Sequence, residues 1–234
     1  MTISLTSTEI DCDFVKVLVF GDSGMGKTTL IKTAPRPIII SSESGLLSLK
    51  GTNISVIKVT SLEDMEEAYE YVTDPEHSED FLTICLDSIT DLAETMLTSN
   101  KKGVKDPRMA YGKLNDDIMD IIRAFRDIST HHVYFTAKMA RIEDVYSGFA
   151  KYKAMMPGKV LPQNIPYMFD EILCLQIGED EEGLQFRYLQ TQPSITHDSK
   201  DRSGKLDNPE RPDLAYIFEK ITGKNKNLTK KVTN

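Results

Sequence analysis

The chain has 234 residues, 40% of them hydrophobic, and a net charge of −8 at pH 7. That length suits one sizeable α/β domain rather than two, and the acidity excludes a general polyanion binder, leaving any nucleic-acid contact to local basic segments. No apolar run approaches the ~20 residues of a membrane span, and Met1-Thr2-Ile3-Ser4 lacks a signal-peptide pattern.

In chain order, residues 1–13 read as a polar lead-in, 14–222 as a single domain and 223–234 as a basic tail of disordered composition. The apolar run Val15–Phe20 predicts a strand. Gly21-Asp22-Ser23-Gly24-Met25-Gly26-Lys27-Thr28 follows it and fits G-x-x-x-x-G-K-[ST] without a mismatch, and Leu30-Ile31-Lys32 opens a helix. This strand–loop–helix context is what a phosphate-binding loop requires. Glycines let successive backbone N–H groups turn inward around a polyphosphate, and the helix N-terminus adds partial positive charge. Lys27 is expected to reach the β- and γ-phosphates and Thr28 to ligate Mg²⁺. Gly21 through Thr28 and the adjoining Thr29 are the candidate contacts to a nucleoside triphosphate.

Pro37–Ser41 predicts a second strand, followed by Glu43. A carboxylate on that rim can polarise the water that attacks a γ-phosphate, or it can cap the helical turn Ser44–Leu49; the residues alone leave both open. A third strand is expected at Ser55–Val59. Leu62, Met65, Ala68, Tyr69 and Val72 keep helical spacing. Phe81–Leu86 is a strand ending in Asp87, the candidate metal-organising acid, with Ser88 as N-cap of the next helix. Leu114, Ile118, Ile121, Ile122, Phe125 and Ile128 mark a further helix, and Val133–Ala137 a fifth strand.

These first five strands are short and apolar, as expected of strands covered on both faces. His131 and His132 lack partners at metal spacing and are expected at a surface turn. Glu171–Ile177 and Gln185–Gln190 flank the acidic, glycine-bounded Gly178–Gly183 and predict an antiparallel hairpin at one sheet edge. Leu214–Ile221 predicts a last helix. Cys12, Cys85 and Cys174 show no metal-ligand spacing, and two sit in apolar runs as buried thiols, which fits a reducing cytoplasm. The fold class is α/β, a mainly parallel twisted sheet with helices on both faces.

Two stretches combine positive charge with loop or aromatic residues. Thr98–Ala110 holds Lys101, Lys102, Lys105 and Arg108 with Gly103 and Pro107. Met139–Pro162 holds Arg141, Lys151, Lys153 and Lys159 among Tyr146, Phe149 and Tyr152. Basic groups neutralise phosphates and aromatic rings stack on bases, the pattern of sequence-tolerant single-strand binding.

The order of phosphate loop, a strand ending at Glu43, a strand ending Leu86-Asp87-Ser88 and a strand ending near Lys138 resembles the RecA-like ATPases. The nearest resemblance is to small phage-encoded members acting in single-strand annealing and recombination; it spans Phe14 to Ile221, and the phosphate loop is its only highly specific motif. It implies a RecA-like P-loop core, ATP with Mg²⁺ as cofactors, and Glu43 as the catalytic glutamate. Lys200-Asp201-Arg202-Ser203-Gly204 resembles the K-N-R-F-G segment of hexameric or filamentous relatives, with Asp201 and Ser203 replacing Asn and Phe. The resemblance implies that Lys200 and Arg202 act on nucleotide bound by a neighbouring subunit, within a ring or filament. It further implies DNA contact by the two basic stretches, a single-strand-binding protein as partner, and the cytoplasm of a bacterial host as location.

One alternative is a nucleotide-dependent loader or assembly switch with slow turnover, in which Glu43 only caps. A small-molecule kinase would need an arginine-rich lid, and Met139–Pro162 has only Arg141. A GTPase would need N-K-x-D where Thr136-Ala137-Lys138-Met139 stands. Lys138 occupies the place of a nucleotide-sensing polar residue in the RecA-like proteins, and its own role stays open.

Overall fold

The computed structural model describes residues 13–43, 45–102, 104–143 and 148–224. The chain begins with β1 (Lys16–Gly21), the phosphate loop and α1 (Lys27–Leu30), which tightens into a 3₁₀ turn at Ile31–Thr33. Next come β2 (Pro37–Ser41), a 3₁₀ turn at Leu46–Leu49, β3 (Ser55–Lys58), α2 (Leu62–Thr73), α3 (Pro75–Ser78) and β4 (Thr83–Asp87). The middle holds α4 (Ile89–Lys102), α5 (Pro107–Arg126), β5 (His132–Glu143), β6 (Ala150–Ala154) and α6 (Leu161–Met168). The chain closes with β7 (Glu171–Glu179), β8 (Gln185–Gln190), β9 (Lys200–Asp201) and α7 (Leu214–Thr222).

The sheet runs β3-β2-β4-β5-β1-β7-β8, with β6 paired to β5 and β9 to β7. Pairings from β3 through β7 are parallel, and β7–β8 is the expected antiparallel edge hairpin. Alternation of side chains divides each apolar strand between two cores. Leu18, Phe20, Ile38, Ile40, Ile84, Leu86 and Phe135 join α2, α4, α5 and α6 on one face. Val17, Val19, Ile39, Cys85, Tyr134 and Leu175 join α1 and α7 on the other.

The helix ends follow from the local sequence. Ser61 and Asp64 form a reciprocal capping box at α2. Asp106 caps α5, and Pro107 occupies its first turn, where a missing N–H costs nothing.

Several expectations require correction. β3 is an edge strand whose residues are largely exposed, because among the described residues no strand pairs beyond it. His131 and His132 are buried, not at the surface. The Val15 N–H donates to His132 Nδ1 at 3.0 Å, and the His132 ring stacks on Phe218 at 4.2 Å. His131 Nε2 meets the Ser78 carbonyl at 2.9 Å. Neutral imidazoles serve here as polar core residues. Cys85 and Cys174 are buried free thiols, as expected; Cys12 lies outside the described residues, as do most of the lead-in and the tail.

Candidate functional site

Gly21 ends β1 where a Cβ would stand 2.9 Å from the Leu175 carbonyl oxygen, so only glycine lets the chain leave the sheet beside β7. The loop then closes onto α1 through Gly26, whose φ of 105° disfavours any side chain. α1 is held from below, the Tyr134 hydroxyl donating to the Lys27 carbonyl at 2.9 Å. A cavity of about 570 Å³ opens above the loop, lined by Asp22, Ser23, Gly24, Gly26, Lys27, Thr28 and Thr29 together with Glu43 and Asp87. Gly21 and Met25, the other expected loop contacts, are not among the residues that line it. Lys27 Nζ donates to the Gly21 and Asp22 carbonyls at 2.8 and 2.9 Å. Burial lowers its pKa, an effect opposed by Asp87 and Glu43.

β4 delivers Asp87, 4% exposed, to the rim. Thr28 Oγ1 donates to Asp87 Oδ2 at 2.8 Å, and Thr136 Oγ1, on the intervening β5, donates to Oδ1 at 2.5 Å. The Asp87–Ser88 peptide is cis. Among the described residues no group of three or more His, Cys, Asp or Glu could enclose a metal. Mg²⁺ needs no such cage, because it keeps several waters and takes phosphate oxygens alongside one or two protein ligands. The Thr28–Asp87 pair fits it. When bound, the ion would neutralise charge on the β- and γ-phosphates.

Glu43 does not cap the following turn: Gly45 occupies that position, with no side-chain hydrogen bond. Its carboxyl lines the cavity instead, with Ser88 Oγ 3.4 Å from Oε1. A hydrogen bond shared with Asp91, reinforced by burial and by the negative charge of Asp91 and Asp87, pushes its pKa up to about 7. Asp91 moves the other way. Burial would raise it, but hydrogen bonds with Glu43, Lys138 and Ser88 outweigh that and hold it below the usual carboxylate range.

Lys138 bridges Asp91 at 2.6 Å and Glu94 at 2.8 Å, and these carboxylates raise its pKa against the opposing effect of burial. Its backbone N–H donates to Thr90 Oγ1, which donates in turn to the Met155 carbonyl at 2.8 Å. The role left open for Lys138 thus acquires a physical content: it lines the cavity and is the cation that holds Asp91 and Glu94 together. Asp91 and Glu94 escaped the sequence analysis. Asp91 alone left a signal, the spacing Ser88-x-x-Asp91, in which the Asp91 N–H donates to Ser88 Oγ and Ser88 Oγ donates back to the Asp91 carboxylate.

The basic stretches are more ordered than loops. Lys101 and Lys102 form the last turn of α4, where cations complement the helix dipole, and Arg108 lies in the first turn of α5, leaving only a short connection that includes Lys105. All four side chains are exposed. The second stretch is a β-ribbon. Arg141 on β5 pairs with Tyr152 on β6, and Lys151 and Lys153 face Ile142 and Ala140. Tyr152 stacks on His197 at 4.8 Å, while Lys151 and Lys153 stand 3.9 and 3.5 Å from Asp198. Tyr146 lies outside the described residues. The two stretches approach each other at Tyr111: Lys101 Nζ is 5.1 Å from its ring, and a Cβ on Gly158 would be 3.2 Å from it.

Lys200 and Arg202 lie away from this chain's own phosphate loop. β9 pairs with the start of β7, level with Val17 at the opposite end of β1 from Gly21. Lys200 Nζ donates to the Pro166 carbonyl at 2.6 Å, and Arg202 bridges to Asp170 at 2.9 Å.

The family described as AAA domain matches residues 13–203, most of the chain and the whole of the site. The chain belongs to that family. Its fold is an α/β P-loop NTPase core and its domain that of a nucleotide-binding ATPase. A search of curated proteins finds no match. No helix among the described residues is long and apolar enough to cross a membrane.

Proposed function

We propose that this chain is a RecA-like ATPase that hydrolyses ATP with Mg²⁺ and binds single-stranded DNA during phage recombination or annealing, in the cytoplasm of a bacterial host. The observation that carries this proposal is the continuity of β5. Lys138 and Met139 line the nucleotide cavity, and the same strand runs on through Arg141 into the basic ribbon. Met155, just past the other strand of the ribbon, also lines the cavity. Strain or charge applied to Lys151, Tyr152 or Lys153 is therefore one rigid element away from the acid cluster around Glu43.

In this mechanism Lys27 and the loop N–H groups bind the phosphates, Thr28 and Asp87 hold the metal, and ionised Glu43 takes the proton of the attacking water. DNA would lie across Lys101, Lys102, Lys105 and Arg108 and the ribbon, its phosphates neutralised by both. Arg202 and Lys200, facing away from their own loop, would serve nucleotide bound to a neighbouring subunit in a ring or filament. A single-strand-binding protein is a natural further partner.

The loader or assembly-switch alternative draws support from one observation. The Glu43 carboxyl is already engaged by a hydrogen bond shared with Asp91, a contact that competes with its use as a base. The deciding experiment is ATP hydrolysis with and without single-stranded DNA across a salt series, with K27A and E43Q as controls. Strong, salt-sensitive stimulation lost in both variants supports the DNA-coupled ATPase. Turnover indifferent to DNA removes DNA from the proposal and leaves the switch.

A further inference from the structure

One cation reaches the phosphate loop from a part of the chain that no motif connects to it. On β8, Arg187 and Leu189 share a face, and Leu189 packs with Leu175 in the core that also holds α1. Arg187, two residues nearer the hairpin turn, therefore projects past the end of β1 onto the loop. Its Nε donates to the Met25 carbonyl at 2.7 Å, across 162 residues of sequence. The side chain closes over the neighbouring glycine as well: a Cβ on Gly26 would stand 3.5 Å from Nε and 3.7 Å from Cδ.

The Met25–Gly26 peptide is trans, so its carbonyl and its N–H point in opposite directions. The Met25 carbonyl is taken up by Arg187, which does not line the cavity, whereas Gly26 does, and the trans geometry directs the Gly26 N–H away from Arg187. This peptide is conformationally soft, because glycine populates positive and negative φ with similar ease. An outside anchor removes freedom that nucleotide binding would otherwise have to remove.

We propose that Arg187 is a positioning residue for the nucleotide site, fixing the Met25–Gly26 peptide so that its N–H is aimed at bound phosphate. The inference rests on the nucleotide-binding function of the loop and deepens it. It requires neither DNA binding nor oligomerisation.

The test uses the full chain, a fluorescent ATP analogue with Mg²⁺, and three variants. R187Q places an uncharged N–H donor at the same atom position as Nε, R187K keeps the charge without the planar donor, and R187A removes both. R187A is expected to weaken binding about tenfold, the scale of one lost oriented hydrogen bond to a charged donor. R187Q should bind within about threefold of wild type. For R187A, kcat at saturating ATP and the melting temperature of the nucleotide-free protein should both stay near the wild-type values, which a merely structural role would not allow.

Equal affinity in wild type and R187A overturns the inference and leaves nucleotide binding intact. So does R187Q binding as weakly as R187A while R187K restores affinity, since charge alone would then act. A wild-type protein that binds the analogue no better than K27A overturns the nucleotide function itself, and the inference falls with it.

Discussion

Two carboxylate pairs sit at opposite ends of the sheet and share one chemical theme. At the cavity, Glu43 is raised to about 7 beside a depressed Asp91. At the start of β7, Glu171 is pushed up to about 8, chiefly by burial and then by the negative charge of Asp201, and Asp201 is itself depressed. The surroundings distinguish them. In the first pair Glu43 lines a cavity, and a cation that also lines it, Lys138, bridges Asp91 to Glu94.

The second pair is closed around by backbone. Asp201 accepts from the Gly204 and Leu206 N–H groups and the Ser203 hydroxyl, and Glu171 Oε1 accepts from the Ser203 N–H. Glu171 is 2% exposed, and its Oε2 lacks a hydrogen-bond partner among the described residues. A perturbed carboxyl is therefore not by itself a sign of catalysis. Access to a cavity and a neighbouring lysine separate the Glu43 pair from the one that ties a turn.

The sharpest break between the pairs is expected from E43Q. It should lower kcat by about 10²–10⁴-fold, the range for loss of a general base, with little change in melting temperature; steady-state hydrolysis and thermal unfolding read the two effects. Turnover preserved in E43Q would make the two pairs alike. D91N should act more gently. Without the Asp91 charge, Glu43 ionises more readily, so the acid limb of the pH–kcat/KM profile, expected near pH 7, should move down by roughly one unit.

E171Q probes the other end. The folded chain holds a proton on Glu171 that the unfolded chain has released above pH 4.5, so this group's contribution to stability is complete below that pH. It is lost as pH rises to about 8 and then levels off. E171Q should therefore stabilise the protein by roughly 1–3 kcal/mol at pH 8, a few degrees in melting temperature, and by almost nothing at pH 4.5, with hydrolysis unchanged. The smallest effect belongs to R202A. Its ion pair with Asp170 is more than half exposed on both sides, so stability should change by no more than about 0.5 kcal/mol. Loss of turnover only under conditions in which chains associate would show that Arg202 serves a neighbouring subunit.

Much of this was legible from residues close together in sequence. Gly21–Thr28, the strands ending at Ser41 and Asp87, and the edge hairpin Gln185–Gln190 lie where their apolar runs and turn signals put them. The ribbon of β5 and β6 leaves little mark in the sequence beyond the alternation of basic and aromatic residues at Lys151-Tyr152-Lys153. An exposed two-stranded element carries no continuous apolar run to announce it. Lys101 and Lys102 carry no local sign of their helical place, because lysine suits a helix end and a solvated turn equally well. His131 and His132 gave no sign of burial, since the partners that shelter them, Ser78 and Phe218, are supplied by distant parts of the chain.

By itself the sequence determined the phosphate loop, the apolar strand that ends in Asp87 and the alternation of strand and helix, because each is written in residues within one strand–turn–helix unit. Only the tertiary structure decided which carboxylates share a proton, which lysine offsets them and which arginine holds the loop. Thr28 meets Asp87 across 59 residues, Lys138 meets Glu94 across 44 and Arg187 meets Met25 across 162. Strand order sets those meetings, and strand order is a property of the packed sheet that no local pattern encodes.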